Sequence, residues 1–189
     1  MFALLRLSFA FGGVFALFAC AFVRAPTPDE LTLLDNPPVE IQEKLDQLAP
    51  LALRWVNDVE IKLIDSGRPL SEDEVAIAKS VGVRSPERVR VVVLSEFPLP
   101  KNEVLLAEAT RYGLGSNAEG GRTMGYVILL KERFAKTRWI MAHELVHVAQ
   151  QEKMGRESFL RRLMVEYELM GYRRAPLELE ANKHALDFM

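Results

Sequence analysis

The sequence predicts an α+β fold in which a small twisted sheet packs against one long, buried helix. The segment 138–154 is rich in apolar residues and lacks glycine and proline, as expected of a buried helix. The segments 88–94 and 122–130 are rich in β-branched and aliphatic residues, which favours strands. Apolar residues at helical spacing fill much of the remainder. Residues 39–189 are therefore predicted to form one domain of ordinary size.

An apolar leader precedes this domain. Leu7 to Val23 contains 17 residues without a charge, with Arg6 before it and Arg24 after it. Residues 1–24 are therefore predicted to be a signal peptide or a membrane anchor. The positive charges slightly favour a body on the outer side of the membrane. Cys20 ends a stretch that resembles a bacterial lipoprotein processing site, so lipidation is a further alternative.

Composition excludes several other classes of protein. The chain has a single cysteine, so disulfides cannot hold an exported domain together. The formal charge of −2 and the pI near 6.0 provide no basic field for nucleic acid. The predicted partners are the membrane, through the leader, and a peptide or protein substrate.

The region between the leader and the strands is predicted to be helical. Residues 25–38 form a proline-bearing, acidic linker in this interpretation. Helical spacing then covers residues 39–49 and 51–65, with an interruption at Pro50. Ser71 and Glu74 form a capping box that opens a short helix ending near Val81.

The segment His143-Glu144-Leu145-Val146-His147 carries the chemistry. Residues four apart lie about 40° apart around a helix, so both imidazoles can reach one metal ion. Glu144 lies about 100° from His143, where its carboxylate can take a proton from a zinc-activated water. Thr137 is the predicted N-cap of this helix and Gly155 its predicted stop.

A third ligand is expected from the carboxy-terminal helix, because catalytic zinc commonly keeps three protein ligands. Residues 176–188 form an amphipathic pattern that begins at a proline. Its wheel directs Glu178 inward and leaves Glu180 on the solvated arc, with His184 on the boundary. Glu178 is the favoured ligand and the other two are alternatives. Asn182 lies one turn after Glu178 and can hydrogen-bond a ligand.

The pair of motifs resembles the gluzincin metallopeptidases, in which HExxH is followed by a separate helix with a Glu-x-x-Ala-Asp/Asn pattern. The resemblance covers roughly the last sixty residues and extends to small bacterial membrane-associated proteins with a similar HELVHVAQQ string. It implies a zincin-like fold, His143, His147 and Glu178 as zinc ligands, and Glu144 as the base. The prenyl-protein proteases are one group with the similar Glu-x-x-Ala-Asp pattern, and they have aspartate at the position of Asn182.

A zincin-like site also needs a strand beside the HExxH helix, to which a peptide can add by main-chain hydrogen bonds. Residues 122–130 are the predicted edge strand, with Gly125 permitting close backbone approach. The glycine-rich segment 113–121 before it is a predicted hairpin connection or flap. Four side chains close in sequence to the site are undistinguished candidates for stabilising an oxyanion: Tyr126, Tyr167, Tyr172 and Arg173.

The sequence therefore predicts a zinc-dependent peptidase, associated with the membrane and acting outside the cytoplasm. One alternative is a non-catalytic metal-binding scaffold or chaperone module with the same fold. Another is a membrane-anchored binding protein without metal.

Overall fold

The structure, a computed structural model, describes residues 24–189. The predicted leader therefore lies almost entirely outside the described residues. The described part contains seven α-helices and four strands. The helices are α1 Pro28–Asp35, α2 Val39–Leu63, α3 Glu72–Ser80, α4 Glu103–Arg111, α5 Arg138–Met154, α6 Arg156–Met170 and α7 Pro176–Ala185. The strands are β1 Arg68–Pro69, β2 Arg90–Leu94, β3 Gly121–Met124 and β4 Val127–Lys131. This composition confirms the predicted α+β class.

The four strands form one mixed sheet in the order β1-β2-β4-β3. β2 and β4 are parallel, whereas β1 and β3 are antiparallel to their neighbours. Every residue of β4 is buried, as expected for a central strand covered on both faces. β3 lies at the edge of the sheet, next to α5.

Alternation along the strands divides the sheet into two apolar faces. Ile128 and Leu130 point to one core, which they share with residues of α5 such as Leu145. Val127 and Leu129 point to the opposite core, which contains residues of α2. Because successive side chains of a strand point to opposite faces, β4 contributes to both cores. The sheet thus lies between the HExxH helix α5 and the long helix α2.

A third apolar cluster joins the helices away from the sheet. It contains Leu34 of α1, Leu45 and Leu48 of α2, Leu105 of α4 and Met164 of α6. The predicted linker 25–38 therefore contains a short helix with one buried residue. Thr27 caps that helix through a reciprocal capping box with Glu30.

Two predictions about local structure are wrong in detail. The predicted break at Pro50 is absent, because α2 runs through this proline as one helix of 25 residues. Packing of its apolar face against other helices offsets the lost backbone hydrogen bond. The predicted single strand 122–130 is a hairpin of β3 and β4, with Gly125 in the turn at φ +67°.

Other predicted boundaries are confirmed. The capping box of Ser71 and Glu74 opens α3, and β2 lies within the predicted strand 88–94. α5 has the predicted length of 17 residues, begins after Thr137 and ends at Gly155. α7 begins at Pro176.

Within residues 24–189, no helix is long and apolar enough to cross a membrane.

Candidate metal centre

The HExxH segment lies in the most deeply buried part of α5. Every residue from 140 to 148 is buried, including His143, Glu144 and His147. The apolar side chains of this stretch pack in the core against the sheet. The buried polar side chains on the other face need partners of their own, because burying an unpaired polar group is unfavourable. The sequence pattern therefore produces a buried helix with histidines on one face.

Both histidines meet Glu178 of α7. The Nε2 atoms of His143 and His147 lie 3.1 Å apart. His143 Nε2 lies 3.3 Å from Glu178 Oε2, and His147 Nε2 lies 3.5 Å from Glu178 Oε1. The three residues are 2–7% exposed, so their side chains converge in a site largely shielded from bulk water.

These separations fit a metal ion. Ligand atoms roughly 2.0–2.1 Å from a tetrahedral metal lie roughly 3.3 Å from one another. The three distances fall around that value. The buried oxygen Oε2 of Glu178 has no hydrogen-bond partner among the described residues, as expected of an atom that faces a ligand. This buried His143–His147–Glu178 group could hold a metal ion.

Two contacts from α6 position Glu178. Tyr167 donates a hydrogen bond of 2.6 Å from its Oη to Glu178 Oε1. Glu166, which is 1% exposed, accepts a hydrogen bond of 2.8 Å from the backbone N–H of Leu177. The Glu166 carboxylate thereby caps the amino terminus of α7 at Leu177, the residue before Glu178. It replaces the side-chain cap that the N-cap residue Ala175 does not provide. α6 therefore holds both the start of α7 and the carboxylate that α7 carries.

The charges of the centre are strongly coupled. Burial disfavours the charged form of His147, but the carboxylates of Glu178 and Glu144 outweigh burial and raise its pKa to about 9. Burial likewise opposes ionisation of Glu178, yet the two histidines hold its pKa well below the usual range. The metal-free centre is thus a buried ion pair between Glu178 and His147.

Glu144 lies against the edge strand β3. Its Oε2 accepts a hydrogen bond of 2.8 Å from Thr123 Oγ1, and burial raises its pKa. A Cβ at Gly121 would lie 2.7 Å from Glu144 Oε1, so a glycine is needed for this close approach. Oε1 makes no side-chain hydrogen bond within residues 24–189. This oxygen is therefore available to accept a proton.

The other predicted site residues lie elsewhere. Glu180 is exposed and accepts a hydrogen bond from Gln150, and His184 is not among the clustered groups. Asn182 is exposed and makes no side-chain hydrogen bond within the described residues, in contrast to the predicted contact with a ligand. Gln150 makes that contact instead, through a 2.8 Å hydrogen bond with His147 Nδ1. Its position three residues after His147 was a signal that sequence reasoning missed.

The four candidate oxyanion donors differ in their positions and contacts in the structure. Tyr126 Oη lies 3.1 Å from both Glu152 and Arg88, away from the centre, and Arg173 is exposed. The phenol of Tyr167 is bonded to Glu178. Tyr172 is 48% exposed and packs edge-on against Tyr167, with ring centroids 5.8 Å apart. Burial, followed by the nearby carboxylates of Glu178 and Glu144, raises its pKa.

Comparisons with protein-family models, curated proteins and solved structures found no match for this chain. The fold and the centre define an α+β protein with a buried group that could hold a metal ion.

Proposed function

We propose that this protein is a zinc-dependent peptidase with a zincin-like fold. The observation that carries the proposal is the convergence of His143, His147 and Glu178 at tetrahedral ligand spacing, with Glu144 on the same helix. Two imidazoles and one carboxylate suit zinc, and three protein ligands leave a position for water or substrate. A purely structural zinc site usually has four protein ligands, whereas this group within residues 24–189 has three.

Zinc, when bound, supplies a Lewis acid that makes water nucleophilic near neutral pH and polarises a peptide carbonyl. Glu144 accepts the proton of the attacking water at Oε1, while Thr123 holds Oε2. The water oxygen bonds to the carbonyl carbon, and the C–N bond breaks. Glu144 then transfers its proton to the leaving amine. Burial raises the pKa of Glu144 in the metal-free centre, and a carboxylate with a raised pKa is a stronger base.

Tyr172 is the proposed hydrogen-bond donor to the developing oxyanion. The phenol of Tyr167 already donates to Glu178, and Tyr126 bonds to Glu152. Tyr172 is the remaining tyrosine of the three. Unlike Arg173, which is only exposed, Tyr172 is supported by two observations: its phenol lies near Glu178 and Glu144, and the residue is accessible to a substrate.

The proposed setting is the membrane, with the domain outside the cytoplasm. This part of the proposal depends on the leader sequence alone. The apolar run from Leu7 to Val23 would target or anchor the chain, and residues 39–189 would act on peptides or proteins on the outer side.

A non-catalytic metal-binding module is the competing proposal. Burial of the three ligands and Glu144, at 2–7% exposure, favours it because structural metal sites are closed. The two proposals differ in what they require of Glu144. Hydrolysis needs its carboxylate, whereas a structural metal does not.

The test is the substitution Glu144→Gln in the full-length chain, purified in detergent. We expect zinc to remain bound at one ion per chain, and hydrolysis of a fluorogenic peptide library to fall by roughly 10²–10⁴-fold. Glu157→Gln is a matched control, since Glu157 is exposed on α6, and it should keep full activity. Zinc at unit stoichiometry with no Glu144-dependent hydrolysis would favour the structural module. A chain that binds no zinc would refute both proposals.

A further inference from the structure

Two glutamines follow the HExxH segment on α5, and the proposed reaction uses neither. Gln150 and Gln151 are 5% and 8% exposed. Gln151 makes a weak local contact, a 3.3 Å hydrogen bond to the carbonyl of His147 on the same helix. Gln150 instead contacts both a metal-ligand histidine and helix α7. A buried amide with such contacts needs an explanation, because burying polar groups is unfavourable unless they are satisfied.

The amide of Gln150 has three partners. Its Nε2 donates to the carbonyl of Leu177 at 3.0 Å and to Glu180 Oε2 at 2.8 Å. Its Oε1 lies 2.8 Å from His147 Nδ1. A carbonyl oxygen and a carboxylate can only accept hydrogen bonds, so the NH₂ group must face them. The partners in α7 therefore determine that the amide oxygen faces His147.

This orientation determines which ring nitrogen of His147 keeps its proton in the neutral form that can bind a metal. An amide oxygen only accepts, so Nδ1 of His147 must donate. A neutral imidazole with its proton on Nδ1 has its lone pair on Nε2. Nε2 is the atom that lies 3.1 Å from His143 Nε2 and 3.5 Å from Glu178 Oε1. Gln150 thus selects the form of His147 that can bind a metal at the centre.

The same amide also connects the two ligand-bearing helices. Leu177, whose carbonyl accepts from Gln150, immediately precedes Glu178 in α7. One side chain therefore orients the His147 ring on α5 and holds the start of α7 beside it. By contrast, His143 Nδ1 is buried without a hydrogen-bond partner among the described residues, so no comparable contact orients that ring.

We propose that Gln150 is a positioning residue of the metal centre, which sets the tautomer of His147 and joins this ligand to the helix that carries Glu178. The inference rests on the proposed zinc site and deepens it. Histidine ligands of metals commonly donate their second nitrogen to such a partner, and loss of the partner weakens metal binding. Asn182, which the sequence suggested for this role, provides a control on the same helix as Glu178.

The first experiment compares Gln150→Leu and Asn182→Ala in the full-length chain, by competitive zinc titration and by the absorption spectrum of the cobalt-substituted protein. We expect Gln150→Leu to weaken zinc binding by roughly 10–100-fold and to alter the cobalt spectrum. Asn182→Ala should match the wild type in both measurements. In zinc-loaded wild type, NMR should show a slowly exchanging proton on His147 Nδ1, and Gln150→Leu should remove this protection. A Gln150→Leu protein with zinc affinity within twofold of wild type would overturn the inference.

A second pair of variants decides the question if Gln150→Leu fails to fold. Gln150→Glu keeps an acceptor for His147 but loses the donor to Leu177 and faces the carboxylate of Glu180. It should weaken zinc binding. Adding Glu180→Gln restores a donor between the helices and removes the repulsion, so the double variant should recover most of the affinity. Equal affinity of both variants would contradict a positioning role.

These measurements keep the two proposals separate. A wild-type chain that binds no zinc would refute the proposed function itself. A wild-type chain that binds zinc, with variants at position 150 that bind equally well, would refute only the role of Gln150.

Discussion

The candidate metal centre and a second charged group each gather ionisable side chains from different helices. The candidate centre consists of His143, His147 and Glu178. We call the second group the Glu168 cluster. The Glu168 cluster consists of Lys44, Glu108, Arg111, Tyr112 and Glu168, from α2, α4, α6 and the residue that follows α4. Lys44 Nζ lies 2.9 Å from Glu108 and 2.8 Å from Glu168. Arg111 pairs with the same two carboxylates.

The two groups differ in how their charges are balanced. In the Glu168 cluster each carboxylate faces both cations, and the long basic side chains remain 33–48% exposed. Burial opposes the charged forms, but the pairing outweighs it, so the pKa of Glu168 is lowered and that of Lys44 is raised. In the candidate metal centre, by contrast, the carboxylate oxygen Glu178 Oε2 is buried and has no hydrogen-bond partner within residues 24–189.

This difference indicates that the His143–His147–Glu178 group, and not the Glu168 cluster, is the candidate ligand site. A cluster of matched charges is already satisfied and serves to join helices. A buried carboxylate and two imidazoles at metal-ligand spacing could hold a metal cation, which would supply the partner that Glu178 Oε2 lacks. Three experiments test whether the two groups respond as this comparison predicts.

Addition of zinc should have the largest effect. At a free zinc concentration of 1,000 times the dissociation constant, zinc should stabilise the folded chain by about 4.1 kcal/mol. The midpoint of thermal unfolding should rise by roughly 8–16 °C for a domain of this size, as measured by calorimetry or circular dichroism. His147→Ala should lose the whole increment, whereas Lys44→Met should keep it. An equal increment in the two variants would mean that zinc binds elsewhere.

The pH dependence of the metal-free chain should be the next largest effect. The pKa of His147 is raised from 6.5 to about 9 in the folded state, so its charge stabilises the fold fully below pH 6.5. This contribution should disappear as the pH rises through 9, at up to about 1.4 kcal/mol per pH unit. Glu178 stays ionised in this range, because its pKa is lowered. Urea unfolding between pH 6.5 and 9.5 measures the slope.

The variant His147→Asn provides the control for this slope. It removes the titrating group while keeping a polar side chain, so the stability of the metal-free variant should vary less across the same range. A wild-type stability that is flat between pH 6.5 and 9.5 would contradict the buried ion pair.

The smallest effect is expected from the Glu168 cluster. Lys44→Met removes one cation from a partly exposed network, in which Arg111 remains beside Glu168. We expect a loss of about 0.5–1 kcal/mol in the free energy of unfolding, together with unchanged zinc affinity. Urea unfolding and zinc titration measure the two quantities. A loss of zinc affinity in this variant would show that the two groups are coupled.

Local patterns predicted the parts of the site that depend on one helix. The 3.6-residue period places His143 and His147 on one face of α5, and Thr137 and Gly155 mark its ends. The apolar arc of α7 likewise predicted that Glu178 faces inward, and Glu178 lies beside the two histidines. The sequence favoured Glu178 over Glu180 and His184 because burial follows the apolar arc of the helix.

Contacts between elements were not predictable in the same way. The wheel of α7 suggested Asn182, but the packing of α7 against α5 leaves Asn182 exposed and brings Leu177 and Glu180 to Gln150. Tyr167 and Glu166 reach α7 because α6 packs beside it, which no periodicity in α6 alone reveals. Proline at position 50 predicted a break that tertiary packing overrides.

The sequence by itself determined the α+β class and the helix that carries two histidines and an acid, because backbone periodicity and caps act within a few residues. Only the tertiary structure decided which polar groups satisfy those histidines. That choice depends on distances between helices separated by tens of residues along the chain, and the positions of those helices follow from packing of the cores around the sheet.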